Sequence, residues 1–207
     1  LKTEQCHAII LSTHNYGDSD RIASLFTLEH GHIRGFAKGA RASRKRFGGS
    51  LEPTNRLELV LTVKEDGLSR IERVEKAISN MELRQQLESL ALALYACELV
   101  ELLTPEGHPL PRLFRLLSAL MDHLDQVTVK AADRYFFEIN LLNILGYRPL
   151  LHEDELKPLA DCLKTGSFGK ICFSATELTA AGQLLDKEIS EHCLRPLKSR
   201  LFLENLN

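Results

Sequence analysis

Apolar and polar positions alternate with a period of two through much of the first 80 residues, then recur every three to four residues through most of the remainder. Successive side chains of an extended chain point to opposite faces, so a period of two predicts strands with one buried face. Alternation is clearest over Arg56–Val63, where Leu57, Leu59, Leu61 and Val63 face one way and Arg56, Glu58 and Thr62 the other. Residues 7–11 (HAIIL), 21–27 (RIASLFT), 32–38 (HIRGFAK) and 69–75 are read as four further strands. Turn chemistry separates them at 16–20 (YGDSD), at Glu29-His30-Gly31 and at Glu65-Asp66-Gly67. In strand 32–38, Ile33, Gly35 and Ala37 form a small apolar face, and His32, Arg34, Phe36 and Lys38 form a basic face with an aromatic at its centre. Five short strands without a long helix predict a small closed barrel, of which the OB-fold is the five-stranded case.

The period changes near Ala77. Leu83, Leu87, Leu90, Leu94 and Cys97 recur at helical spacing, and Leu92, Leu99 and Leu103 widen the stripe, which predicts one helix over 81–103 packed on several neighbours. The TPEG run at 104–107 stops it. A second helix, 111–124, turns Leu113, Leu116, Leu117, Leu120 and Leu124 inward and Arg112, Arg115, Ser118 and Asp122 outward. Thr128 is the expected cap of a third, which runs to Leu145 and closes with Gly146 and Pro149. This third helix is apolar nearly all round, apart from a strip of Lys130, Asp133 and Asn140, as a central bundle helix would be. Residues 176–191 predict a fourth helix and 195–206 a short last one, while 150–174 reads as an irregular insert. The expected architecture is α+β in two parts: an OB-fold barrel over 1–79, then an all-α helical domain over 80–207.

Composition alters this picture little. At 207 residues, 44% hydrophobic and 26% charged, the chain is an ordinary globular one. No apolar run approaches the roughly 20 residues that span a bilayer, and LKTEQCHAIIL lacks the n- and h-regions of a leader, so a cytoplasmic location and no membrane partner are expected. Five scattered cysteines, Cys6, Cys97, Cys162, Cys172 and Cys193, predict reduced thiols rather than a disulfide framework.

Charge alters it more. The net charge of −2 divides into +3 over residues 1–80 and −5 over 81–207. Arg34, Lys38, Arg41, Arg44, Lys45 and Arg46 fall within thirteen residues, in a stretch with no acid between Glu29 and Glu52. The ordinary explanation of such a run is a solvated face. Three features argue for a polyanion instead: glycines that let backbone approach, Phe36 and Phe47 interleaved with the charges, and a barrel scaffold of the kind that grips single strands with cations and stacking aromatics. Phe36 and Phe47 each suit the barrel core or a stacking platform equally. His30 and His32, beside the glycine turn, are expected to touch nucleic acid or water, and Asp18 and Asp20 to form a turn rather than bind a metal. No GxxxxGK[ST] loop is present, and no Ser or Cys stands in a recognisable nucleophile context, so no enzymatic activity is expected.

Residues 8–57 resemble the N-terminal domain of the RecO family of bacterial recombination mediators. The likeness rests on AIIL, YGDSDRI, LFTLEHGHIRGFAKGAR and RFGGSLEP in that order, and RYFFEINLLNILGYRP at 134–149 resembles the family's central helix. The resemblance implies an OB-fold with a helical domain, binding of single- and double-stranded DNA, annealing of complementary strands, and a nucleoid-associated location. It also implies help in loading recombinase, with RecR and the acidic, Phe-ending tail of single-stranded DNA-binding protein (SSB) as partners. It carries the DNA role to Arg34, Lys38, Arg41, Arg44, Lys45 and Arg46, with Phe36 beside them, and the SSB-tail role to Arg134, Tyr135 and Leu141. An intrahelical pair between Arg134 and Glu138 is the alternative for that arginine. Many family members carry a zinc site written C-x-x-C-G and then a later cysteine pair. Here Thr165 stands at the second cysteine position after Cys162, followed by Gly166, and Cys172, His192 and Cys193 complete a donor set only at unusual spacing, so no cofactor is expected and buried free thiols are favoured. The rival readings are a protein–protein adaptor, an RNA-binding OB protein and a hydrolase.

Overall fold

The computed structural model describes residues 2–43, 46–47, 49–64, 67–151 and 156–204. Arg44 and Lys45 of the basic loop, and Glu65 and Asp66 of the third turn, lie outside these residues.

Five strands, β1 (Lys2–Tyr16), β2 (Asp20–Thr27), β3 (Gly31–Ala37), β4 (Arg56–Val63) and β5 (Ser69–Ile78), close a barrel in the order β1-β2-β3-β5-β4. β1 is far longer than its predicted 7–11 because it serves two neighbours. Residues 2–9 pair with β4 and residues 8–16 with β2, and a bulge near Leu11 bends the strand between them. Closure comes from a short parallel pairing of β3 with β5, Gly35 opposite Ser69 and Phe36 opposite Arg70. Glycine suits that seam, because a Cβ at Gly35 would press on Ile71 and Leu25. Ala8, Ile10, Leu25, Leu59, Leu61 and Ile71 fill the interior.

Among the described residues seven helices follow: α1 (Met81–Gln85), α2 (Leu87–Leu103), α3 (Pro111–Gln126), α4 (Ala131–Leu145), α5 (Lys157–Cys162), α6 (Ala175–His192) and α7 (Lys198–Glu204). The predicted helix over 81–103 is two helices, broken where Gln86 turns extended. Long-range bonds explain the break. Asp125 accepts from the Leu83 N–H at 2.9 Å, and the Arg84 guanidinium donates to the Pro53 carbonyl at 2.6 Å, which tie α1 to α3 and to the barrel loop. Thr128 is not the cap of α4; that place falls to Lys130, whose N–H donates to the Asp133 carboxylate at 2.8 Å. Gly146 in the left-handed region ends α4 as expected, and Tyr147 N–H reaches back to the Leu142 carbonyl. The region read as an irregular insert contains α5, which starts with Pro158 in its first turn and buries Leu159 and Cys162 in the helical core.

The helical core extends onto the barrel. Ile9, Leu11 and Phe26, on the outer side of β1 and β2, join the cluster formed by Ala96, Val100 and Leu117, and Phe26 stacks on Phe114 at 6.3 Å. The α2–α3 connection lies across the start of β3. Gly107 N–H donates to the His32 carbonyl at 2.8 Å, and a Cβ at Gly31 would overlap the His108 carbonyl. One part of the barrel's outer surface is therefore covered, and the rest of β3 emerges beyond that cover.

Candidate nucleic-acid interface

The uncovered part of β3 centres on Phe36. Its ring meets Tyr16, which is 58% exposed at the end of β1, edge to face with centroids 6.0 Å apart. Tyr16 and Phe36 line an open groove of about 490 Å³ with Thr62, Lys64, Leu68, Arg70 and Glu72. Arg34 lies two residues before Phe36 on the same face and is exposed. Its Nε sits 3.2 Å from Glu106 with both side chains more than half exposed, an arrangement worth about 0–1 kcal/mol that an incoming phosphate can displace.

The basic loop packs against the β1–β2 turn. Asp20 accepts from Gly39 N–H at 2.6 Å, Ser19 O accepts from Arg41 N–H at 3.0 Å, and the exposed Arg41 guanidinium donates to Asp18 O at 2.9 Å. Asp18 and Asp20 thus serve the turn and hold the loop's base. Lys38 is exposed. Arg46 is occupied otherwise: its guanidinium donates to Lys38 O at 2.6 Å and to Ser43 Oγ at 3.3 Å and lies over the Phe47 ring, while its carbonyl accepts from Val74 N–H. It works as a staple between loop and barrel. The choice between core and platform resolves differently for the two phenylalanines: Phe47 is buried in the barrel interior, and Phe36 is half-buried at the groove.

One expectation requires correction. His32 shares a face with Arg34 yet is buried, where it bonds Ser24 Oγ at 2.9 Å beneath the α2–α3 connection. His30 faces Glu4 at 2.7 Å and, with 29% of its side chain exposed, also meets water. Reading the sequence also missed Tyr16, Lys64 and Arg70. Tyr16 lay in a turn-rich cluster, and the β3–β5 seam that brings Arg70 beside Phe36 leaves no local pattern.

The three residues considered for the SSB tail separate. Arg134 and Tyr135 border a cavity of about 130 Å³ with Glu88, Leu92, Val129, Lys130 and Leu203. Leu141 is fully buried in the helical core and presents nothing to a partner. The Arg134 side chain is only 14% exposed, with Nε 2.7 Å from Glu138, Nη2 2.6 Å from Asp186, and its guanidinium over the Tyr95 ring. Burial works against its charge, but Glu138, Tyr95 and Asp186 outweigh it and hold Arg134 more firmly protonated than usual. Burial pushes the Tyr95 hydroxyl well above its ordinary range, with Glu138 adding to the effect, so that it donates to Glu138 at 2.6 Å.

Cys162, Cys172, His192 and Cys193 do not fit a zinc site. No three of them bring donor atoms within 4.8 Å. Cys162 is buried on α5, His192 stacks on Tyr147 at 3.9 Å, and Cys172 is exposed. Burial pushes the Cys97 and Cys162 thiols up to about 12, which leaves them inert.

A five-stranded barrel with an aromatic and basic outer groove, flanked by a helical domain, defines an OB-fold protein with an accessory helical part. Residues 1–79 match the family described as Recombination protein O N terminal, and residues 84–157 match Recombination protein O C terminal. The DNA repair protein RecO of Pelobacter propionicus is 44% identical, over 100% of this chain and 98% of its own length. That of Geobacter sulfurreducens is 42% identical over 98% of each, and that of Myxococcus xanthus 37% over 69% of this chain and 58% of its own. The chain belongs to the RecO family of DNA repair proteins, as the motifs at 8–57 and 134–149 imply. The alignment with the Pelobacter relative runs over 243 positions, more than the 207 residues here, so that relative carries residues without a counterpart in this chain. No described helix is long and apolar enough to cross a membrane.

Proposed function

We propose that this protein is a non-enzymatic recombination mediator whose barrel groove binds single-stranded DNA, and double-stranded DNA through the same phosphate contacts. The observation that carries this reading is the Tyr16–Phe36 pair in a groove lined by Lys64 and Arg70, with Arg34 on the same strand face. Stacking on these rings is indifferent to base identity, because every base has a π-face. Arg34, Lys38 and Arg41 supply phosphate contacts, with Arg44 and Lys45 in the same loop. Annealing follows from the same physics. Cations that screen two polyanions raise their encounter rate, and weak base contacts leave the pairing edges free. The helical part is then the place for RecR and for the SSB tail, in support of recombinase loading. For the tail, Arg134 and Tyr135 retain a role at the rim of their cavity and Leu141 does not.

A titration of fluorescent single-stranded DNA across salt tests the core of this reading. Four to six neutralised phosphates give a log–log slope of roughly −3 to −4. Binding independent of salt, or no binding, points to the adaptor reading. A matched RNA strand that outcompetes DNA points to an RNA-binding protein.

A further inference from the structure

The end of the barrel where β1 begins carries a cluster that the DNA-binding reading does not use. Glu4 and Cys6 are two residues apart on one face of β1, and the β2–β3 turn folds His30 over them. A carboxylate oxygen, the Cys6 sulfur and an imidazole nitrogen all lie within 4.8 Å of one another, the one such group among the described residues. Each donor is fixed by rigid structure. Glu4 pairs with Leu61 and Cys6 with Leu59 in the β1–β4 ladder. Leu28 N–H donates to His7 O at 2.9 Å, and His30 N–H donates to Thr27 Oγ1 at 2.9 Å, which together hold the turn down. Glu4 presents one oxygen to His30 while Lys2 holds the other at 2.7 Å.

One detail points to a ligand. His30 Nε2 is buried and makes no well-formed hydrogen bond; the one polar group given beside it is the Glu4 carboxylate, at 2.7 Å. Buried polar atoms in native proteins are nearly always satisfied, and an ion held between this nitrogen, the carboxylate and the Cys6 sulfur would satisfy it.

We propose that Glu4, Cys6 and His30 bind one Zn(II) ion. Thiolate, imidazole and carboxylate are the ligand types zinc takes, and three protein ligands with a fourth position left to solvent is a recurrent zinc arrangement. With Zn–S of about 2.3 Å and Zn–N of about 2.0–2.1 Å, tetrahedral zinc spaces its donors roughly 3.3–3.6 Å apart, within the 4.8 Å span of the cluster once the 2.7 Å contact of His30 with Glu4 opens slightly. Glu4 and His30 are partly exposed, which gives the ion a way in, and Lys2, four-fifths exposed, is free to swing aside. As the Zn–S bond forms, the Cys6 proton passes to solvent, driven by the ion's charge against the burial that otherwise keeps the thiol protonated. The bound ion ties the start of β1 to the turn that leads into β3, the strand that carries Arg34 and Phe36. This site is separate from the cysteines of the helical part.

Tag-free protein titrated with Co(II), and then with Zn(II) as competitor, tests the site. The expected result is one Co(II) per chain with a sulfur-to-cobalt charge-transfer band, displaced by Zn(II). The band is retained in a C172S/C193S double variant and lost in C6S. Loss of a group that merely orients a ligand already costs roughly 10- to 100-fold in affinity, so H30N and E4Q lower zinc affinity by at least about tenfold. Because His30 and Glu4 lie at the rim, these two variants carry the test even where C6S fails to fold. Wild-type protein without a thiolate band, a band that survives C6S, or zinc affinity unchanged in H30N overturns the proposal.

Discussion

Tyr16 and Phe36 meet edge to face across the intervening strand β2, their planes at 87°. Phe47, eleven residues after Phe36 and equally aromatic, lies inside the barrel. The two phenylalanines are therefore expected to fail in different assays. Phe36→Ala lowers single-stranded DNA affinity by about 1–3 kcal/mol, the worth of one stacked base, and leaves the denaturation midpoint nearly unchanged. Phe47→Ala destabilises the fold by about 3–5 kcal/mol through the cavity it leaves. Anisotropy titration and urea denaturation of both variants check this, and a loss of DNA affinity in a fully folded Phe47→Ala would reverse the assignment.

The arginines divide in the same way. Arg34 is exposed, and among the described residues its ion-pair partner is the equally exposed Glu106. Arg34→Gln should make the log–log salt slope less negative by about 0.7, the share of one phosphate on a single strand, with stability unchanged within about 0.5 kcal/mol. Arg46 spends its guanidinium on Lys38 O and Ser43. Arg46→Gln should cost about 1 kcal/mol of stability for the hydrogen bonds lost and leave the slope alone. Equal slopes in wild type and Arg34→Gln would remove Arg34 from the interface.

Acid should release the C-terminal helix. Glu98 on α2 accepts from the backbone N–H groups of Lys198 and Ser199 at 3.1 and 2.8 Å, capping α7 from a distance in sequence. Burial alone would raise its pKa, but the bonds from Ser199 and Lys198, with Arg195 nearby, outweigh it and hold the carboxyl below its ordinary value. A carboxyl depressed in the folded state contributes stability that is present above its unfolded pKa, near 4.5, and is lost as pH falls through the lower folded value. Hydrogen exchange at 198–199 should accelerate over that acid range relative to the other helices, and Glu98→Gln should show the faster exchange already at neutral pH. An acid response identical in Glu98→Gln would exclude this carboxylate as the cause.

Local pattern carried the elements whose burial is one-sided. Arg56–Val63 alternates because one face fills the barrel and the other meets water, and its ends were legible to the residue. Helix α3 was legible for the same reason. Pattern failed where a segment has two packed sides or answers to a distant partner. β1 alternates poorly around its bulge because Ile9 and Leu11 pack on helices while Ile10 packs inside. The break at Gln86 answers to Asp125 and Pro53, which helical periodicity over 81–103 does not register.

The candidate site divides along the same line. That Arg34, Phe36 and Lys38 alternate with Ile33, Gly35 and Ala37 follows from the two-residue period alone, and so does the concentration of charge in the loop that follows. Which of those groups reaches solvent depends on what lies over the strand. The α2–α3 connection covers His32 and stops short of Phe36, the loop folds back and uses Arg46, and the parallel β3–β5 seam sets Arg70 beside an aromatic it is remote from in sequence. Periodicity assigns a side chain to a face because backbone geometry is local; exposure of that face is a property of contacts between distant segments, which form only once the barrel has closed and the helices have packed on it.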